Sequence, residues 1–263
     1  MLKGLATRAA GAISAQWQAI DRDYRQPAVP PHHGPIVLLV SAVCLVVPRY
    51  FGQQTSINKY PWLAQLYAWL PYPQLHGNAH WALFKLINYG LIPYLCMRWV
   101  LKRPLSDFGV RFVESRRSLQ VYAAMLAVMV PCVLLASMTD AFLRTYPKCQ
   151  AAGNGVAPLL IWEALYALQF LMLELFFRGF MAFALARVMG SLGLFVMVVP
   201  YAMIHGNKPL AECLGSIVAG IALGTIALRT GSIWGGVLLH CSVAWSMDLL
   251  ALFRTGRWPT QLF

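Results

Sequence analysis

The chain has 263 residues, of which 59% are hydrophobic and only 11% are charged. Soluble domains have about 25% charged residues, so this composition excludes an ordinary soluble protein and predicts an all-α bundle of transmembrane helices. The net charge of +12 is compatible with nucleic-acid binding, but no basic run alternates with aromatic residues. Basic segments flanking membrane spans explain the charge better, so we expect membrane lipids and no nucleic acid as partners.

Residues 1–33 form a basic, weakly amphipathic stretch that predicts an arm on the membrane surface. Apolar stretches follow, several of them close to the ~20 residues that a spanning helix needs. Residues 60–73 are rich in Trp and Tyr between prolines and predict an interfacial helix. The seven predicted spans are residues 34–52, 81–101, 118–138, 157–187, 190–205, 210–229 and 232–253. We divide the chain into the arm (1–33), N-terminal spans with the interfacial helix (34–100), a core (101–253) and a C-terminal tail (254–263).

The placement of Lys and Arg between these spans favours a cytoplasmic N-terminus. The fourth predicted span is longer than the membrane is thick, so it is expected to tilt, to protrude, or to break near Gly179. In the sixth span, Gly220 and Gly224 have the spacing that lets two helices approach closely. That spacing indicates either tight packing within one bundle or a homodimer face.

The fourth span carries charged residues: Glu163, Glu174 and Arg178. A charge at the centre of a membrane costs at least about 2.5–3.5 kcal/mol, so a function is expected for it. Glu174 and Arg178 have the favourable i, i+4 spacing. One interpretation is an ion pair that stabilises the bundle. The other is that the Arg178 guanidinium sets the pKa and orientation of the Glu174 carboxylate, which then acts as a general base. Glu163 precedes Glu174 by about three helical turns and faces the same way, inside the same site or at its mouth.

Two histidines lie in apolar surroundings. His205 precedes Gly206, where the fifth span is expected to end and where the helix dipole favours a protonated ring. It is either a site residue or an interfacial histidine. His240 lies inside the last span, and Asp248 follows about 12 Å further along the helix axis. These two side chains share a side of the helix but are too far apart to touch directly.

The sequence contains no GxSxG or HExxH motif and no evident Ser–His–Asp arrangement. The remaining combination of Glu, Arg and two His suits the activation of a water molecule for amide hydrolysis. Two histidines and a carboxylate are also sufficient ligands for zinc, so a divalent metal cofactor stays open. A transporter that relays protons through Glu163, Glu174 and Asp248 is a further alternative, although no internal repeat is visible.

Three short motifs in the chain resemble the three motifs of the CPBP family. The family patterns are EExxxR, FxxxH, and HxxxN or HxxxB, where B is Asn or Asp. The matching segments are ELFFRG at 174–179, YAMIH at 201–205, and LLH at 238–240. The resemblance implies an intramembrane protease, similar to type II CAAX-prenyl proteases and bacteriocin-processing proteins. The implied protease core of this chain is residues 101–253. It implies that Glu174, Arg178, His205 and His240 form the active site. The implied substrates are membrane-anchored or lipidated peptides, and the implied location is a bacterial inner membrane.

The chain departs from the family pattern at two polar positions. Leu173 stands where the first glutamate is expected, and Ala244 stands where the third motif has Asn or Asp. Either Glu174 and Asp248 take over these roles, or the chain is an inactive relative that binds a partner or confers immunity. Asp248 itself either joins a network with His240, through a kink or a water molecule, or pairs with a basic group on another helix.

Overall fold

The computed structural model describes residues 2–112 and 115–262. Its residues are 77% helical, and the described part contains no strand, which confirms the all-α fold. Thirteen α-helices lie in the described residues: α1 Leu2–Tyr24, α2 His33–Tyr50, α3 Ser56–Lys59, α4 Pro61–Gln65, α5 His76–Lys85, α6 Ile92–Leu95, α7 Arg116–Ala136, α8 Asp140–Thr145, α9 Val156–Glu174, α10 Ala184–Met189, α11 Leu192–Met203, α12 Leu210–Thr230 and α13 Trp234–Arg254. Shorter 3-10 segments cover Pro73–Leu75, Leu105–Phe108 and Gln150–Asn154, and π-helical segments cover Leu86–Leu91, Cys96–Val100 and Leu175–Phe183.

Five helical segments among the described residues are long and apolar enough to cross a membrane. They are His33–Tyr50, Arg116–Ala136, Val156–Met189, Leu210–Thr230 and Trp234–Arg254. The predicted count of seven is not confirmed. Helix α11 has 12 residues, which is ~18 Å and shorter than the ~30 Å hydrocarbon layer. The predicted span 81–101 is a succession of short α and π segments instead of one regular helix.

Large apolar side chains cover the outer faces of these long helices. Leu135 is 66% exposed, Leu160 63% and Val218 70%. In water such faces would be aggregation-prone, whereas lipid chains accommodate them without loss. The exposed faces therefore agree with the composition in indicating a lipid environment.

The chain forms two compact units, which we describe separately. Unit 1 contains the described residues of Met1–Ser41, Tyr94–Ser118 and Leu175–Trp234. Phe176, Phe180 and Phe183 of the π-helical segment are its buried centre. Helix α1 packs on this unit, since the Trp17 indole donates to Thr225 Oγ1 over 3.3 Å and the Tyr24 hydroxyl donates to the Leu228 carbonyl over 2.6 Å.

The glycines of α12 allow close packing inside unit 1. A Cβ at Gly220 would lie 3.0 Å from the Tyr201 ring, and a Cβ at Gly224 would overlap Leu194. Tyr201 and Leu194 both belong to α11, so the small-residue spacing in the sequence serves the contact between α11 and α12.

Unit 2 contains the described residues of Ala42–Pro93, Leu119–Glu174 and Gly235–Phe263. Its core is an aromatic cluster in which the Trp162 and Tyr166 rings stack with centroids 4.8 Å apart. Tyr67, Leu75 and Leu252 are buried in the same cluster. The residues 60–73 that predict an interfacial helix form the short helix α4 and turns, with Trp69 76% exposed.

Candidate active site

The segment Val156–Met189 is one continuous helical stretch that carries both charged residues of the first motif. Its α-helical form ends at Glu174 and changes to a π-helix over Leu175–Phe183, which contains Arg178 and Gly179. The expected irregularity near Gly179 is therefore a change of helix type. The helix does not break there. π-helical insertions in α-helices occur frequently at functional sites, because they re-aim side chains relative to a regular helix.

Glu174 and His240 lie together in unit 2. The His240 Nδ1 atom is 2.7 Å from Glu174 Oε1, and the Glu174 side chain is only 1% exposed while that of His240 is 19% exposed. Burial of a carboxylate is costly unless a partner compensates it, and a histidine at this distance is such a partner. The two residues thus bring α9 and α13 together through a polar contact within an otherwise apolar layer.

Two neighbours fix the geometry of this pair. A Cβ at Gly236 would lie 2.6 Å from Glu174 Oε2, so only glycine leaves room for the carboxylate. Gly236 is one helical turn before His240, on the same face of α13. The Phe170 ring stacks on the His240 imidazole with centroids 5.3 Å apart and planes 8° apart. Phe170 precedes Glu174 by one turn, so two residues on one face of α9, Phe170 and Glu174, contact His240.

Arg178 is fully buried in unit 1 and lies against Tyr201. Its guanidinium carbon is 4.1 Å from the centroid of the Tyr201 ring, which is a cation–π geometry. The Phe177 ring contacts the same tyrosine edge-to-face at 5.2 Å. Tyr201, at the aromatic position of the second motif, therefore supports the buried arginine.

His205 lies two residues after the end of α11 at Met203, close to where the sequence places the helix end. Its Nδ1 atom is 2.8 Å from the Tyr201 carbonyl oxygen. A carbonyl oxygen only accepts, so Nδ1 carries the proton in this contact. The Tyr201 and His205 rings are 4.9 Å apart. Tyr201 therefore orients both Arg178 and His205 within unit 1.

Within unit 2 Glu174 contacts His240, and within unit 1 Arg178 and His205 both contact Tyr201. The pairs are joined along the chain by the helical segment in which Arg178 follows Glu174 by one turn. The convergence of all four residues on one cavity stays a prediction.

Asp248 is fully buried and binds two donors in unit 2. Its Oδ2 accepts from the Trp162 indole at 2.7 Å, and its Oδ1 accepts from the Lys148 backbone amide at 2.8 Å. Both donors anchor the loop before α9 and α9 itself to α13. A backbone amide has no sequence signal, so this anchor was not predictable.

Glu163 is a second acid on α9. Both of its carboxylate oxygens are buried and have no hydrogen-bond partner among the described residues, while its carbonyl accepts from the Trp245 indole at 3.2 Å. Buried polar groups are generally satisfied, so an unpaired carboxylate needs a separate explanation. Glu163 therefore stays a candidate member of a polar site, as the sequence suggests.

The two departures from the family pattern are buried apolar residues. Leu173 is 6% exposed and Ala244 is 5% exposed, both in unit 2. Neither side chain can accept or donate a proton. Any chemistry in this region therefore depends on the remaining polar residues.

The described residues contain no group of three or more His, Cys, Asp and Glu side chains that could hold a metal ion. Zinc sites use three or four such ligands. The Glu174 and His240 pair offers two ligands, so the donor set does not support the metalloprotease alternative.

Comparison with known proteins bears on the same residues. Residues 155–246 match the family model described as Type II CAAX prenyl endopeptidase Rce1-like, which covers about a third of the chain and includes all three motifs. Searches of curated proteins and of solved structures found no match to this chain. The five apolar helices and this match establish an integral, multi-pass membrane protein. The match confirms the resemblance drawn from the motifs: residues 155–246 are similar to an Rce1-like domain, which supports a CPBP family intramembrane protease.

Proposed function

We propose that this protein is an intramembrane endopeptidase that hydrolyses peptide bonds of membrane-anchored or lipidated substrates through a water molecule activated by Glu174. The observation that carries the proposal is the 2.7 Å contact between the buried Glu174 carboxylate and His240 Nδ1. A membrane helix retains such a pair at a cost of several kcal/mol, which is compatible with a functional use. The Rce1-like domain supports protease activity in general.

The proposed reaction begins when a water molecule attacks the carbonyl carbon of the scissile bond and loses a proton to the Glu174 carboxylate. The oxygen of the carbonyl then carries negative charge, which an imidazole N–H of His240 or the buried Arg178 stabilises. Collapse of the intermediate breaks the C–N bond, and the proton on Glu174 passes to the leaving amine. In this proposal His205, oriented by its bond to the Tyr201 carbonyl, assists proton transfer.

The test is proteolysis by the purified full-length chain in lipid nanodiscs, with prenylated and unprenylated peptides ending in a CAAX sequence and mass spectrometry of the products. We expect Glu174→Gln to lower turnover by at least ~10²-fold, because a positioned general base contributes about that much. The matched control is Glu212→Gln, since Glu212 forms a half-buried i, i+4 ion pair with Lys208 and is not in the proposed machinery. Turnover by Glu174→Gln within twofold of wild type contradicts the general-base role.

A second function, that of an inactive family member that binds a partner or confers immunity, is favoured by one observation. Leu173 and Ala244 fill two motif positions with buried apolar side chains. On this alternative the wild-type chain cleaves none of the peptides, yet still retains lipidated peptides. Binding measured by a labelled prenylated peptide, without any product in the same sample, distinguishes this function from the protease.

A further inference from the structure

A polar cavity of about 340 Å³ lies within unit 1, between the end of α1, the segment after Val100, and the ends of α10 and α12. Four arginines line it: Arg103, Arg111, Arg187 and Arg229. Small-molecule sites commonly have volumes of about 300–1,000 Å³, so the cavity has room for a group larger than one water molecule. None of these arginines belongs to the three motifs of the Rce1-like domain.

The charges of the cavity do not balance. Two aspartates also line it, and each already has a cationic partner. Asp23 pairs with Arg229 at 2.5 Å, and Asp107 pairs with Arg103 at 3.1 Å and with Arg187 at 3.7 Å. Arg111 has no acidic partner among the described residues. Four guanidinium groups against two carboxylates leave the cavity with an excess of positive charge.

Arg111 provides the donors that remain available. Its Nε donates to the Gly231 carbonyl at 2.9 Å, and its terminal nitrogens have no protein partner in the described part of the chain. Its guanidinium lies against the Cα of Gly231, which has a φ of +70° and no room for a Cβ. The hydrogen bond from Nε to the Gly231 carbonyl orients the plane of the guanidinium. The two terminal nitrogens then form a pair of parallel donors. Such a pair matches two oxygens of a phosphate group.

Arg187 sets the inner wall of the cavity. It is only 8% exposed, and it donates to the Asp107 carbonyl at 2.5 Å. That bond connects α10 to the segment Leu105–Phe108 at the inner wall of the cavity. A largely buried guanidinium also strengthens attraction to an anion, because fewer water molecules screen its charge.

The cavity lies where two predicted membrane spans end. Arg187 is two residues before the end of Val156–Met189, and Arg229 is one residue before the end of Leu210–Thr230. The ends of spans lie at the level of the lipid headgroups. Basic pockets between transmembrane helices at that level bind the headgroups of anionic lipids.

We propose that this arginine cavity binds a phosphate group at the membrane surface, with Arg111 as its principal donor. The phosphate is carried either by an anionic phospholipid headgroup or by a free phosphate ion. Arg103, Arg187 and Arg229 complete the positive wall, and their aspartate partners hold them in place. The proposal does not depend on the proposed protease activity.

The test measures thermal unfolding of the full-length chain in nanodiscs of phosphatidylcholine, in nanodiscs that also contain phosphatidylglycerol, and in phosphatidylcholine with inorganic phosphate at constant ionic strength. The wild-type chain is expected to unfold at a higher temperature in at least one of the two phosphate-rich conditions. A shift with phosphatidylglycerol alone identifies the lipid headgroup as the source, and a shift with inorganic phosphate identifies the free ion. No shift in either condition overturns the proposal.

Arginine variants then locate the site. Arg111→Gln is expected to weaken phosphate or phosphatidylglycerol binding about tenfold in a titration, since a charge-assisted contact of this kind is worth about 1.4 kcal/mol or more. Arg111→Lys keeps the charge but not the paired donors and is expected to give an intermediate affinity, which keeps the test valid if the Gln variant folds poorly. The control is Arg254→Gln, an exposed arginine in the last turn of α13, which should bind as wild type. Unchanged binding by both Arg111 variants, or an equal loss in Arg254→Gln, also overturns the proposal.

Discussion

His240 Nδ1 lies 2.7 Å from Glu174 Oε1, inside a layer of apolar helices in which the acid is almost completely buried. The two residues belong to different motifs, 66 positions apart in the sequence, and to different helices. Gly236 and Phe170 lie against the pair, one leaving room for the carboxylate and the other stacking on the imidazole. This contact is the basis of the first two predictions.

Replacement of His240 separates a role in positioning from a role in stability. His240→Ala removes this partner of the buried Glu174 carboxylate, so we expect both a loss of turnover and a lower unfolding temperature. His240→Gln keeps a polar group near Oε1 and is expected to recover most of the stability but not the turnover. The measurements are peptide hydrolysis and thermal unfolding in the same nanodiscs. Equal turnover in the Gln variant and the wild type would show that the imidazole has no part in the reaction.

Gly236 is expected to tolerate no side chain. A Cβ there would lie 2.6 Å from Glu174 Oε2, so Gly236→Ala must displace the carboxylate or separate α9 from α13. Overpacking of this kind costs typically about 1–3 kcal/mol. We expect Gly236→Ala to lower both turnover and the unfolding temperature. The control is Gly215→Ala in α12, where nothing lies within 4 Å of an added Cβ. If Gly236→Ala keeps the wild-type turnover and unfolding temperature, the close approach of Gly236 to Glu174 is contradicted.

Asp248 is expected to act on stability more than on turnover. Asn at this position keeps one acceptor but places an amide N–H₂ against one of two donors, the Trp162 indole and the Lys148 amide. Asp248→Asn should therefore unfold at a lower temperature and keep its turnover once folded. If Asp248 instead tunes His240, Asp248→Asn loses turnover without unfolding, and adding Ala244→Asn restores part of it. Proteolysis and thermal unfolding of the single and double variants decide between these outcomes.

Cys149 predicts a dependence of stability on pH. Burial raises the pKa of this thiol from 9.0 to about 11, with smaller contributions from the charges of Asp248 and Glu163. The folded state therefore holds the proton more tightly than the unfolded state does. This contribution is fully present below about pH 9 and is lost as the pH rises through about 11. The unfolding temperature of the wild type should fall more between these pH values than that of Cys149→Ala, whereas parallel curves would contradict the raised pKa.

Much of the fold and part of the site were predictable from the sequence. Apolar length alone located five helices, because a bilayer of fixed thickness imposes a minimum length on any spanning helix. The same argument predicts spans at residues 81–101 and 190–205, which are not confirmed, because apolar composition gives no sign of π-helical segments or of a helix of only 12 residues. Glu174, Arg178, His205 and His240 were recognisable because charged and titratable groups are rare in apolar spans.

The sequence by itself determined the class of protein and the candidate polar residues, and the Rce1-like match supports the family resemblance. Only the tertiary structure decided their partners. The Trp162 indole and the Lys148 amide bind Asp248, Phe170 stacks on His240, and four arginines from three segments line one cavity. Composition and periodicity report which face of a helix is apolar. They do not report which distant backbone amide, ring or guanidinium lies opposite that face, because that depends on how the helices pack in three dimensions.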